Sequence, residues 1–100
     1  MAEFIILAGA EREILETYFQ LEDFQEGLGA RFSKCIDDTL ELIGKHPSIG
    51  STFRNPTRRR LVKGFPYAVF YEPTETRIIV HAVLDLRQSP EAILRRLGLD

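Results

Sequence analysis

Cysteine occurs once in the 100 residues of the chain, as Cys35. No internal disulfide can form, and the reducing cytoplasm is the expected compartment. Histidine is scarce too: His46 and His81 are far apart in sequence, and neither stands with Cys35 at the spacing of zinc ligands. No Gly-rich phosphate loop follows a strand pattern, and no Gly-x-Ser-x-Gly is present. Long apolar runs are missing: none approaches the ~20 residues of a membrane span. The stretch Phe4-Ile5-Ile6-Leu7 near the start lacks a preceding basic region, so it is not read as a secretory signal. These absences argue against a metal-dependent hydrolase, a P-loop enzyme, an α/β-hydrolase and a membrane-spanning protein. No cofactor and no metal is expected.

What is present is the composition of one ordinary globular domain over residues 1–100, 44% hydrophobic and 28% charged. The net charge of −2 conceals an asymmetry. Residues 1–50 carry four basic side chains and ten acidic ones, a balance of −6; residues 51–100 carry nine and five, a balance of +4. Arg54, Arg58, Arg59, Arg60 and Lys63 fall within ten residues that contain no carboxylate. Charge of one sign so clustered is expected to serve a partner.

The hydrophobic spacing predicts an α+β fold in the order β-α-α-β-β-β-α, with a helical hairpin packed on a mainly antiparallel sheet. Phe4–Leu7 reads as a strand, ended by Ala8-Gly9-Ala10. Ile14, Tyr18 and Leu21, widened by Leu15 and Phe19, predict a helix over Glu11–Gln25. Gly27-Leu28-Gly29 marks a stop and reversal. Phe32, Cys35, Ile36, Thr39, Leu40 and Ile43 predict a second helix over Ala30–Ile43, ended by Gly44 and Pro47. Residues 44–57 read as a connector. Strands are predicted at Arg58–Lys63, Tyr67–Glu72 and Arg77–Leu84, and a short helix at Glu91–Leu97 behind Pro90. The strands at 67–72 and 77–84 are apolar at nearly every position, as in a sheet covered on both faces. The hairpin supplies one cover; the terminal helix or a second chain must supply the other, and a bound segment beside these strands is expected.

Cys35, on an apolar stripe, is read as a packing residue, and His81, among apolar neighbours, as a half-buried histidine with a partner. Lys63–Phe70 superficially follows the RNA-recognition signature, but Pro66 and Ala68 depart from it and two adjacent helices do not fit that fold. Arg58, Arg59, Arg60, Lys63, Arg77 and Arg87 remain as polar candidates. Such cations grip phosphates, stabilise charge developing at phosphorus, or meet the carboxylates of a bound helix. Strand alternation is expected to put Arg59 and Lys63 on one face and Arg58 and Arg60 on the other.

Taken together, Gly27-Leu28-Gly29-Ala30-Arg31-Phe32, Pro47, Arg58-Arg59, Phe65-Pro66-Tyr67-Ala68-Val69-Phe70-Tyr71 and Ala82-Val83-Leu84-Asp85-Leu86-Arg87-Gln88-Ser89-Pro90 resemble the RelE/ParE superfamily of toxins from bacterial type II toxin–antitoxin (plasmid stabilisation) modules. The resemblance spans nearly the whole chain. It implies a cytoplasmic toxin neutralised by a cognate antitoxin, as a hetero-oligomer or a homodimer when free. ParE-like members inhibit DNA gyrase; RelE-like members cut mRNA on the ribosome; a third reading is a non-toxic relative that still binds an antitoxin. Many relatives carry His-x-Arg where this chain has Asp85-Leu86-Arg87, and no tyrosine follows Tyr71 to match the C-terminal catalytic tyrosine. With the acidic pI near 5.7, these departures favour the ParE-like reading. Under the RelE-like alternative, the resemblance implies Arg59, Lys63 and Arg87 as the catalytic residues.

Overall fold

The structure is a computed structural model and describes residues 3–100. In chain order its elements are β1 (Glu3–Ile6), α1 (Ala8–Phe24), α2 (Leu28–Lys45), β2 (Ser51–Arg54), β3 (Thr57–Leu61), β4 (Tyr67–Pro73), β5 (Arg77–Asp85) and α3 (Pro90–Leu97). The order is the expected α+β one, with one further strand, β2, inside the stretch read as a connector. The sheet runs β1-β5-β4-β3-β2. β1 lies parallel to β5, and the remaining pairs are antiparallel. Among the described residues, no helix is long and apolar enough to cross a membrane.

The apolar stripes explain the layering. Ala10, Phe32, Ile36 and Ile43 of the helical hairpin bury against Val69, Tyr71, Ile78, Val80 and Val83 of the sheet. On the other face Ala68, Phe70, Ala82 and Leu84 form a second cluster with Ile93 of α3, with Phe53, Leu86 and Leu97 packed at its edge. The terminal helix is therefore the second cover, and the apolar strands at 67–84 need no bound segment on either face. A β-bulge makes both clusters possible. Phe70 pairs with Ala82 but Tyr71 pairs with Val80, so His81 is the extra residue. Strand alternation shifts there by one, and residues 78 and 80 face the hairpin while 82 and 84 face α3. His81 Nε2 lies 3.1 Å from Glu72 Oε1, the expected partner of a half-buried histidine.

Small residues at the start of α1 do not break the chain. Ala10 is fully buried, and a Cβ on Gly9 would sit 2.6 Å from the Arg96 guanidinium of α3. The Ala8-Gly9-Ala10 segment is thus a seat for close packing, which is why the helix begins three residues before the expected Glu11. Gly44 likewise stays inside α2, with the Phe4 ring against it. Gly27 does mark the reversal, at φ 86°.

No side chain of the turn itself caps α2. Glu22 of α1 does so from outside: its carboxylate accepts the N–H groups of Gly27 (3.1 Å), Gly29 (2.8 Å) and Ala30 (3.3 Å). These bonds, that of Gly27 first, hold the Glu22 carboxyl below its ordinary pKa. Because the folded value is depressed, this contribution to stability is present above the ordinary carboxylate range and is lost as pH falls through the folded pKa. Glu22→Gln is therefore expected to flatten the acid limb of a pH–stability curve while leaving the fold intact. A parent and variant with parallel acid limbs in chemical melts would rule out this role.

Glu13 closes the edge that short β1 leaves open. It accepts the Val83 N–H at 3.1 Å and pairs with Arg96 Nε at 2.7 Å, while Arg96 also donates to the His81 carbonyl at 3.2 Å. Hairpin, sheet and α3 meet at this node.

Candidate functional site: a cationic groove beside the terminal helix

Three consecutive arginines on β3 meet different neighbours because strand side chains alternate. Arg59 lies opposite Phe70, whose ring belongs to the α3-side cluster. Arg58 and Arg60 lie opposite Tyr71 and Val69, which face the hairpin. The expected split of Arg59 from Arg58 and Arg60 therefore holds. Arg58 is occupied locally, donating to the carbonyls of Ser48 (3.2 Å) and Gly50 (2.7 Å). Arg59 is free to face a ligand. Its guanidinium lies 5.6 Å from the centre of the Phe53 ring, which meets Phe70 edge-to-face at 5.2 Å.

Around Arg59 the sheet and α3 leave a groove of about 400 Å³. Phe53 and Arg54 of β2 form one wall, and Leu86, Gln88, Pro90, Ile93 and Leu94 form the other. The far wall is held by local chemistry. The Ser89 hydroxyl caps α3 by accepting the Ala92 N–H at 3.1 Å, Pro90 occupies the first turn, and Gly98 ends the helix at φ 71°. Two guanidinium groups and an amide, set on an aromatic and aliphatic floor, suit a planar anionic group such as a carboxylate or a phosphate.

The three residues singled out in the sequence do not share one place. β3 ends at Leu61, so the alternation that was expected to carry Lys63 with Arg59 stops short of it. Lys63 sits in the turn before β4. It shares with Arg59, Arg60, Leu61, Ile49 and Ser51 a shallow depression along the outer edge of β3. Arg59 lines both this depression and the groove, so the two are continuous through that one side chain. Among the described residues, no carboxylate stands at salt-bridge distance from Arg54, Arg59, Arg60 or Lys63.

Arg87 lines neither. It forms a fork with Asp85, Nε to Oδ1 at 3.0 Å and a terminal nitrogen to Oδ2 at 2.8 Å, and its backbone N–H also meets Oδ1 at 2.8 Å. The Arg87 side chain holds the Asp85 carboxyl below the usual range, and Asp85 in turn holds the guanidinium above its own. A carboxylate so engaged is a poor proton acceptor near neutral pH.

Phe53 and Gln88 are lining residues that reading the sequence missed, and Arg54, counted there in the cation cluster, was not among the polar candidates. Ser51-Thr52-Phe53-Arg54, with a β-branched and an aromatic residue ahead of Asn55-Pro56, carried a usable strand signal. Its shortness and its setting among glycine, proline and serine hid it.

With this geometry in hand, comparison with known proteins is direct. The family model for the ParE toxin of the type II toxin–antitoxin system, parDE, matches residues 5–90. A search of curated proteins finds no match. A chain of the structure described as "Chromosomal ParDE TA system from P. aeruginosa" superposes with a TM-score of 0.76 at 9% identity, covering 87% of this chain and 98% of that one. The superposition shows a shared fold; the family match covers most of the sequence. The chain belongs to the ParE toxin family of type II toxin–antitoxin systems.

Proposed function

We propose that this toxin arrests growth by binding DNA gyrase through the cationic groove, without catalysis, and that a cognate antitoxin neutralises it. The observation that carries this reading is the make-up of the groove. Arg54, Arg59 and Gln88 offer donors, while no carboxylate, imidazole or phenol is among the lining residues. Cleavage of RNA by its own 2′-hydroxyl needs a group placed to take that proton. Binding an anionic surface needs only the donors. The engagement of Asp85 by Arg87 supports the same side of the choice, because Asp85 stands where many relatives of the resemblance carry histidine and its carboxylate is already occupied.

The test is expression of the chain and of an Arg54→Ala/Arg59→Ala variant, which removes both guanidinium groups of the groove. The parent is expected to arrest growth and, purified, to inhibit supercoiling by gyrase. The variant is expected to do neither. Each substitution is exposed or half-exposed, so stability should move by only about 0–1 kcal/mol per site. Cleavage products in a translating extract, present with the parent and absent with the variant, would replace this reading with the ribosome-dependent nuclease. A parent that does not arrest growth would make the chain a non-toxic relative. Co-expression with the adjacent reading frame tests the antitoxin: the two products should copurify.

A further inference from the structure

The edge of the sheet beyond β2 carries a row of cations. β2 begins at Ser51, which pairs with Arg59, so the outer edge of β3 is open from Arg60 onward. Side chains of both sheet faces reach this opening. Arg59 comes from the α3 side, Arg60 from the hairpin side and Lys63 from the turn that follows, and all three line the depression there. At the other end of β3, Arg54 stands level with Thr57. At about 3.3 Å per residue, the row from Arg54 to Lys63 extends up to roughly 20 Å. Among the described residues, none of these cations has a carboxylate at salt-bridge distance. By contrast Lys34, Lys45, Arg77, Arg87 and Arg96 each hold one.

The neighbours of the row say what fits. A nucleic-acid single strand is held by stacking its bases on exposed rings, and the rings here are taken. Phe53, the one aromatic residue of β2 and β3, lies under the Arg59 guanidinium at 5.6 Å and against Phe70 at 5.2 Å. Phe65, in the turn beside Lys63, packs on Phe32 at 5.3 Å and has Arg31 5.5 Å from its centre. A protein partner is anchored by apolar side chains at the centre of its interface, yet Leu61 is the one large apolar side chain exposed on this edge. Closely repeated negative charge is what remains, and a nucleic-acid duplex presents about one charge per 1.7 Å of its axis. Ser51 and Thr52 are exposed on edge strand β2. Their hydroxyls, and the N–H groups of an outer edge that no strand pairs, are donors of the kinds that hold phosphates. The acidic hairpin sets the boundary on the other side: Asp38, beside Arg60 and Lys63, is paired with Lys34 at 2.8 Å.

We propose that the open edge of β3 binds the phosphate backbone of a nucleic-acid duplex without reading its sequence. Arg54, Arg59, Arg60 and Lys63 meet phosphates, and Ser51 and Thr52 add hydrogen bonds. Contacts to phosphate fix position and carry no base information, which suits a row that offers no side chain to a base edge beyond its cations. Arg60 and Lys63 line this edge and not the groove, so the inference stands whether or not the gyrase reading does.

The experiment titrates the purified full chain into a labelled DNA duplex of about 20 base pairs and follows fluorescence anisotropy. With four phosphate contacts, the logarithm of the association constant should fall against the logarithm of salt concentration with a slope of about −3 to −4. Affinity should then drop about a hundredfold between about 50 mM and about 200 mM salt. A duplex of scrambled sequence should bind equally, and either single strand more weakly. Arg60→Gln and Lys63→Gln should each flatten the slope by about one. Arg12→Gln removes the same charge from α1, where it is the lone cation, and should leave the slope unchanged. Lys63 is exposed in its turn, so its variant should keep the parent's melting temperature. A matched RNA duplex tells the two sources of such a backbone apart, the tighter binder being the ligand. No binding of either duplex at low salt, a slope that both edge variants leave unaltered, or tighter binding of the single strand would each overturn the proposal. So would displacement of the duplex by polyglutamate at equal charge, since an acidic protein would then be the occupant. None of these measurements reads growth or supercoiling, so their failure is distinct from failure of the toxin reading.

Discussion

Phe32→Ala is expected to destabilise the protein by roughly 3–5 kcal/mol. Phe32 is fully buried where α2 meets the sheet. Its ring packs edge-to-face on Phe65 at 5.3 Å and on Tyr67 at 5.4 Å. Truncation removes both aromatic contacts and leaves a cavity that two rings, one on β4 and one in the turn before it, cannot close without backbone movement. For a domain of this size each kcal/mol lowers the melting temperature by about 4–8 °C. The variant should therefore melt far below the parent, with its urea midpoint reduced and the slope unchanged. Phe32→Leu, which keeps most of the apolar volume, should recover a large part of the loss. An unfolding free energy for Phe32→Ala within about 0.5 kcal/mol of the parent's would show that α2 does not hold the sheet through this residue.

Tyr71→Ala is expected to cost about as much, for two separable reasons. The ring is fully buried against the hairpin, and its hydroxyl ties down the segment after α2. That hydroxyl donates to the Pro47 carbonyl at 2.7 Å and accepts the Gly50 N–H at 2.9 Å. Tyr71→Phe keeps the ring and removes only these bonds, leaving a buried N–H without a partner. It should cost about 1–3 kcal/mol, and the alanine variant roughly 3–5 kcal/mol. The hydroxyl also bears on the candidate site. Pro47 and Gly50 lead directly into β2, which carries Phe53 and Arg54. Releasing them should raise amide exchange through 47–54 in the phenylalanine variant while β4 and β5 stay protected. Exchange unchanged in that segment would mean that other contacts position β2.

The helices and central strands were legible because their signals are local. Phe32, Ile36, Thr39 and Ile43 repeat at helical spacing, and all four are buried on α2. The strands at 67–73 and 77–85 are apolar on both faces because both faces are covered. The element limits that shifted did so for packing reasons. Ala8-Gly9-Ala10 and Gly44 look like breaks in isolation, yet each is a place where another side chain, Arg96 or Phe4, comes close. The candidate site was half legible. A run of cations flags Arg59, and Asp85, two residues from Arg87, is a local partner for it, but nothing local tells that Lys63 lies beyond the end of its strand.

By itself the sequence determined the α+β class, the hairpin, the separation of acidic and basic halves, and the family. These depend on periodicity, on composition and on residue order, which are properties of the chain read along its length. Tertiary structure decided the rest, since each remaining feature joins residues that sequence does not bring together. The bulge at His81 sets which apolar side chains face which layer. α3 rather than a second chain covers the second face. Glu13 closes an edge with Arg96, 83 residues away. Arg59 becomes the one arginine of its run on the groove side because only its partner, Phe70, looks toward α3. A charge can be counted in one dimension; what it faces is set by the pairing register and by the helices packed on each side of the sheet.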